Sequence, residues 1–223
     1  MTRLPLPAFV HLFYFGVILP YRTWRHRNVW PSEAQRRPKV ERYKTNTRNF
    51  LAHGVMSLTT LFFLPPATRA GLFPAEWPTL WSLLLGAVAC GIIVAIDLAY
   101  SRRCFERDDP HMYWATPRTP DEQVWWGVQS FAAGVFEELT WRGVQTALLA
   151  RLIGFGPAVA ICVATFGIGH IRQGKPFVLI AALFAAMFHA LTWMTGGLYV
   201  PMIVHVAVDI IVGLRAGIWV RRP

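Results

Sequence analysis

Three short stretches carry side chains able to do acid–base chemistry. They are Glu137-Glu138-Leu139-Thr140-Trp141-Arg142, Phe166-Gly167-Ile168-Gly169-His170 and His205-Val206-Ala207-Val208-Asp209. On a helix, Glu138 and Arg142 stand four apart with the acid first, the spacing of an ion pair, and Gln145 continues that stripe. Glu137 is turned about 100° away. Its face runs Ser130, Gly134, Glu137, Trp141 and offers no basic neighbour, so its partner must come from another helix. Phe166 lies one turn before His170, and His205 and Asp209 share one face. Gly167 and Gly169 leave room for a backbone or a substrate beside His170.

A buried carboxylate near two imidazoles is a good general base. Glu137, His170 and His205 also match a His2Glu zinc set with an open position for water, and Asp209 is a further candidate ligand. The spacing lacks the HExxH pattern of helical zinc proteases, which tilts the expectation toward no tightly bound metal. An ionised Asp209 can only accept hydrogen bonds. It must therefore be protonated, orient His205 or ligate a metal, and the last two are favoured.

The elements that must position these groups are membrane helices. Of the 223 residues 54% are apolar and 15% charged, against about 25% charged in soluble domains. The mean hydropathy is +0.37. Apolar segments fall at roughly 5–20, 49–65, 79–100, 123–150, 156–171, 176–195 and 197–217, most near the ~20 residues a span needs. The reading is an all-α, polytopic transmembrane helix bundle of about seven spans. The first segment contains Pro5, Pro7 and Pro20 and either spans or lies partly in the interface. Its positive charge follows the apolar run, unlike a signal peptide. Heavily and lightly basic connections alternate. The 21–48 connection carries Arg22, Arg25, Arg27, Arg36, Arg37, Lys39, Arg42, Lys44 and Arg48, whereas the 66–78 connection, entered through a turn at Pro65-Pro66, carries only Arg69. This puts the N-terminus outside, the C-terminus in the cytoplasm, and 21–48 on the anionic cytoplasmic leaflet. The net charge of +10 is thereby explained by topology, and nucleic-acid binding is set aside. Cys90, Cys104 and Cys162 have no metal-ligand spacing; Cys90 and Cys162 read as buried free thiols.

The three stretches resemble the EExxxR, FxxxH and HxxxN/D motifs of the CPBP family of intramembrane proteases. That family includes type II CAAX prenyl endopeptidases and bacterial Abi, or bacteriocin self-immunity, proteins. The motifs occur in the family's order, each on its own span, and "TGGLYVPMIVH" at 195–205 resembles the lead-in to the third. The resemblance covers roughly 120–217. Residues 1–120 then form N-terminal membrane helices, and 121–217 a catalytic-type core in the same membrane domain. Trp141 stands where Phe is common, the neighbours of His189 lack the family's frequent glycines, and the third motif ends in Asp.

The resemblance implies peptide-bond hydrolysis in or near the membrane, by a glutamate-dependent or a metal-dependent route. Glu137 would take a proton from water. His170 would orient the water and pass the proton to the leaving amine. His205 would donate to the oxyanion. Glu138, Arg142 and Phe166 would support the site. The implied partners are a membrane-associated protein or peptide substrate and the bilayer, and the implied location is the plasma membrane of a bacterium. The competing reading is a non-catalytic scaffold or immunity factor that uses the polar cluster structurally. An ion transporter is disfavoured because no inverted repeat is visible. Outside the trio, His189 is read as core or cavity lining, and His53 and Asp97 as helix-packing or end-of-span residues. His11, His26 and His111 are read as interfacial or exposed.

Overall fold

The computed structural model describes residues 4–28, 38–107 and 116–220, with the side chains of 219 and 220 excepted. Those residues are mostly helical, with no strand among them. α1 (Leu6–Phe13) runs through a π-helical turn, Tyr14–Ile18, into α2 (Leu19–Arg25). α3 spans Lys39–Leu61, α4 Pro66–Leu72 and α5 Leu80–Glu106. α6 (Pro120–Glu137) continues through a π-helical turn, Glu138–Gln145, into α7 (Thr146–Ile153). α8 (Phe155–Gly169), a 3-10 turn at Ile171–Gln173, α9 (Lys175–Thr195) and α10 (Tyr199–Val220) complete the chain.

Among the described residues three helices are long and apolar enough to cross a bilayer: Leu80–Glu106, Lys175–Thr195 and Tyr199–Ile218. The other apolar blocks differ for visible reasons. α3 begins with the charged run Lys39–Arg48. The 120–153 stretch carries two acids and an arginine at its centre. α8 has 15 residues, about 22 Å of helix against about 30 Å of hydrocarbon. The 66–78 connection is no simple loop, because Pro66 starts the short helix α4 as its first residue. Large apolar side chains, among them Leu80, Trp81, Val88, Leu179 and Trp193, lie exposed on the outside of the bundle. With a lipid solvent that exposure is expected. The protein is an integral membrane protein.

α6 starts at a capping box. The Thr119 hydroxyl accepts from the Glu122 N–H at 3.2 Å, and the Glu122 carboxylate accepts from the Thr119 N–H at 3.3 Å. From there α6 runs between α3 and α10, and α10 in turn lies between α5 and α6. Small residues set these spacings. A Cβ built on Gly134 would sit 2.7 Å from the backbone nitrogen of Val206, so the backbones of α6 and α10 nearly touch. Further along α10, the Trp126 indole lies against Gly213 and donates to the Asp209 carbonyl at 2.9 Å. Gly167 serves the same purpose between α8 and α9. Its added Cβ would meet the Val178 carbonyl at 2.9 Å, whereas Gly169 faces open space. Of the two glycines read as leaving room, Gly167 is therefore filled by a neighbouring helix. α9 ends at Gly196, which takes the left-handed conformation at φ 74°.

Because Gly134 sits one turn before Glu137, the α6–α10 spacing also sets the distance from the acids to His205. Gly134→Val should force these helices apart, lowering stability by about 1–3 kcal/mol through overpacking. It should reduce activity more than Gly127→Val, which meets nothing within 4 Å. Unfolding midpoints and turnover of the two purified variants check this.

Candidate active site

The site is built around the π-helical turn Glu138–Gln145, all of whose residues are buried. Its wider winding appears in the bond from the Thr146 N–H to the Trp141 carbonyl, five residues back. Three apolar clusters surround it. Leu139, Val144 and Leu148 pack with Ala8, Leu64 and Leu198. Trp141 packs with Phe15, Cys162 and Phe166. Across the site, Ile93, Phe188, Val204 and Val208 join α5, α9 and α10.

Glu138 and Arg142 are both fully buried, at 0% side-chain exposure, and approach to 3.2 Å as the spacing predicts. The contact is a charge contact. The three guanidinium nitrogens have no hydrogen-bond partner among the described residues. Two rings hold the group instead, with Phe166 4.5 Å and Phe188 5.2 Å from the guanidinium carbon.

Glu138 does more than pair with Arg142. Its Oε1 accepts from Nδ1 of His205 at 2.7 Å. This fixes the imidazole across the α6–α10 contact and turns Nε2 the other way. There Nε2 lies 3.7 Å from Glu137 Oε2 and 3.9 Å from Asp209 Oδ1. These are electrostatic distances, so the orienting hydrogen bond comes from Glu138, to which the sequence reading assigned only a structural role. Phe188 stacks on the His205 ring at 5.0 Å.

His170 caps α8. Its Nδ1 donates to the Phe166 carbonyl at 2.9 Å, which leaves Nε2 uncommitted. Phe166, at 4.6 Å, and Phe177, at 6.0 Å, flank it. Phe166 thus touches Arg142, Trp141 and His170 at once.

Glu137, His170, His205 and Asp209 line one cavity of about 280 Å³. Side-chain exposures of 19% for Glu137 and 31% for Asp209, against 0% for Glu138, separate the groups a substrate can reach from the one it cannot. Trp141, expected on the face of Glu137, points instead into the core between Phe15 and Phe166. The π turn breaks the 3.6-residue register at that point.

One sequence expectation is corrected. His11 is neither interfacial nor exposed; it is completely buried. Its ring bridges Gln145 at 3.0 Å and Ser57 at 3.1 Å, and Ser57 meets Thr140 at 2.8 Å. This network ties α1 and α3 to the π turn, because a buried imidazole needs partners for both nitrogens. Asp97, read as a helix-packing or end-of-span residue, lines the cavity with the motif residues. His26 is exposed, as expected, and His111 lies outside the described residues. His53 packs against Tyr14 and Phe15. His189 is core: Nδ1 donates to the Ala185 carbonyl and Nε2 meets the Thr146 hydroxyl at 3.0 Å. Cys104 and Cys162 are buried, Cys90 partly so, and none of the three is in a disulfide among the described residues.

Among the described residues no three His, Cys, Asp or Glu side chains converge closely enough to hold a metal ion. With Nδ1 of His205 taken by Glu138 and Nδ1 of His170 by a carbonyl, each ring offers one nitrogen. The donor set as arranged does not form a closed metal site, so the metal-dependent reading draws no support from it.

No curated protein and no solved structure matches the chain. Residues 120–211 match the family described as type II CAAX prenyl endopeptidase Rce1-like. The matched region holds Glu137, Glu138, Arg142, Phe166, His170, His205 and Asp209, and leaves α1 to α5 outside. At a coarse level the family implies a protease. This match supports the resemblance of the 120–211 region to the CPBP/CAAX family of membrane proteases.

Proposed function

We propose that the protein is an intramembrane endopeptidase that hydrolyses a peptide bond of a membrane-associated protein or peptide with a water activated by Glu137. The observation that carries this reading is that Glu137, His170, His205 and Asp209 line one cavity, although they come from α6, α8 and α10.

The hydrogen-bond pattern supports a role for each residue. Glu137 reaches the cavity and has no guanidinium of its own, since Arg142 is paired with Glu138. It is free to take a proton from water. His170, with Nδ1 committed to a carbonyl, presents the Nε2 lone pair. That atom accepts a hydrogen bond from the same water, then shuttles the proton to the leaving amine. His205, held through Nδ1 by Glu138, directs Nε2 at the reacting carbonyl. As an imidazolium between Glu137 and Asp209 it donates to the developing oxyanion. Asp209 acts through charge on His205. No step is routed through a metal.

The bundle is proposed to cross the membrane about seven times, with the N-terminus outside and the C-terminus in the cytoplasm. The cavity would open toward the cytoplasmic leaflet, and a bacterial plasma membrane is the proposed location. Lipid anions would contact the basic 21–48 connection.

The test compares protein termini in membrane fractions from cells expressing the wild type or Glu137→Gln at equal levels. New termini in the wild type alone are expected. Identical sets would contradict the enzyme reading and favour the scaffold or immunity role.

A further inference from the structure

Asp97 lies outside the matched region, on α5, and the chemistry above does not use it. An ionisable side chain in a membrane helix costs at least about 2.5–3.5 kcal/mol to insert and calls for a partner. Among the described residues its hydrogen bond is from the Ser101 hydroxyl to Oδ1 at 3.2 Å. No cation pairs with it among the described residues.

Its place follows from helix packing. α5 and α10 run alongside each other in the same direction. The position of Gly86 abuts Val200 and Val204, and Ile93 packs with Val204 and Val208. Asp97, one turn beyond Ile93, therefore comes level with Asp209. Both carboxylates line the cavity, together with Glu137.

The charge balance of that cavity is unusual for this chain. The protein carries a net +10, yet among the described residues no Lys or Arg lines the cavity. Arg142 is sealed behind Phe166 and Phe188. Glu137 and Asp209 share His205 within 4.0 Å, whereas Asp97 has only a neutral hydroxyl. The same wall supplies Tyr100 and, from α9, Phe177, whose rings lie 5.5 Å apart. Such faces suit an aliphatic stem and a cationic head.

We propose that Asp97 is a specificity-determining residue, whose carboxylate receives the ammonium or guanidinium group of a Lys or Arg side chain in the substrate segment that enters the cavity. The inference rests on the endopeptidase reading and adds to it the class of substrate side chain that the cavity selects. The substrate's cation supplies the missing counter-charge, and Ser101 holds the carboxylate toward it.

The test uses the full-length protein in lipid nanodiscs and a library of membrane-anchored peptides. Each position carries Lys, norleucine or Glu in turn. At one position near the cleaved bond, wild type should cut the Lys peptide at least about tenfold faster in kcat/KM than the norleucine peptide, the size of a charge-assisted hydrogen bond. Asp97→Asn should collapse that ratio toward one, Asp97→Glu should keep it, and Asp97→Lys should shift the preference to the Glu peptide. The wild-type ratio needs no variant, so a misfolding substitution does not protect the idea. Cleavage with no Lys preference at any position overturns the inference and leaves the endopeptidase reading standing. The same holds if the ratio is unchanged in Asp97→Asn. A wild type that cuts no more than Glu137→Gln overturns both.

Discussion

Glu137→Gln is expected to lower kcat by about 10²- to 10⁴-fold, the contribution of a positioned general base. The substitution is isosteric and removes the charge and the basic oxygen together. Glu137 is the carboxylate of the pair that the cavity reaches, and its contact with His205 is a loose 3.7 Å. The folded state should therefore lose little, with unfolding midpoint and elution profile near those of the wild type. KM should change less than kcat, because the water, not the substrate, loses its partner. Turnover of one reconstituted peptide substrate at matched protein levels measures this. A variant that keeps more than a tenth of the wild-type rate would move the base elsewhere.

Arg142→Ala has the opposite signature. It removes the guanidinium beside the fully buried Glu138 carboxylate and leaves His205 as its remaining partner. Breaking one side of such a pair costs about 3–5 kcal/mol. The loss also opens a void between Phe166 and Phe188, whose rings the guanidinium fills. Most of the protein should fail to accumulate as a monodisperse species, and any folded fraction should unfold at much lower denaturant. The double variant Glu138→Gln/Arg142→Met removes both charges, and its glutamine carbonyl can still accept from His205. It should be more stable than Arg142→Ala alone, since replacing a buried pair by uncharged groups is often close to neutral. A double variant less stable than Arg142→Ala would show that the ion pair itself, not the stranded charge, carries the stability.

Much of this site is legible in the chain. Polar side chains at four-residue spacing inside apolar blocks stand out because hydrocarbon penalises them. The Glu138–Arg142 pair therefore follows directly from helical geometry, as does the shared face of His205 and Asp209. The unpaired Glu137 points to another helix for the same reason, and that helix is α10. What stayed hidden is tertiary. His11 looks like an interfacial histidine because its partners Ser57 and Gln145 are small or neutral and distant in sequence. Asp97 looks like an end-of-span residue until α5 is laid along α10. The π turn, which sends Trp141 into the core and buries both Glu138 and Gln145, leaves no periodicity a 3.6-residue reading could detect. The hydrogen bond from His205 to Glu138 follows from the same turn and the near-contact at Gly134. A span count drawn from apolar blocks has a related weakness. α8 is short and α3 half polar, so neither carries the signal of α5, α9 or α10.

An experimental structure in lipid, at a resolution that shows water, tests the shared cavity most directly. The account predicts one ordered water within hydrogen-bond distance of both the Glu137 carboxylate and Nε2 of His170, with His205 Nε2 facing the same space. A Glu137 side chain turned to the acyl chains, or a cavity closed by Phe166 and Phe188 with no water between acid and imidazole, would contradict it.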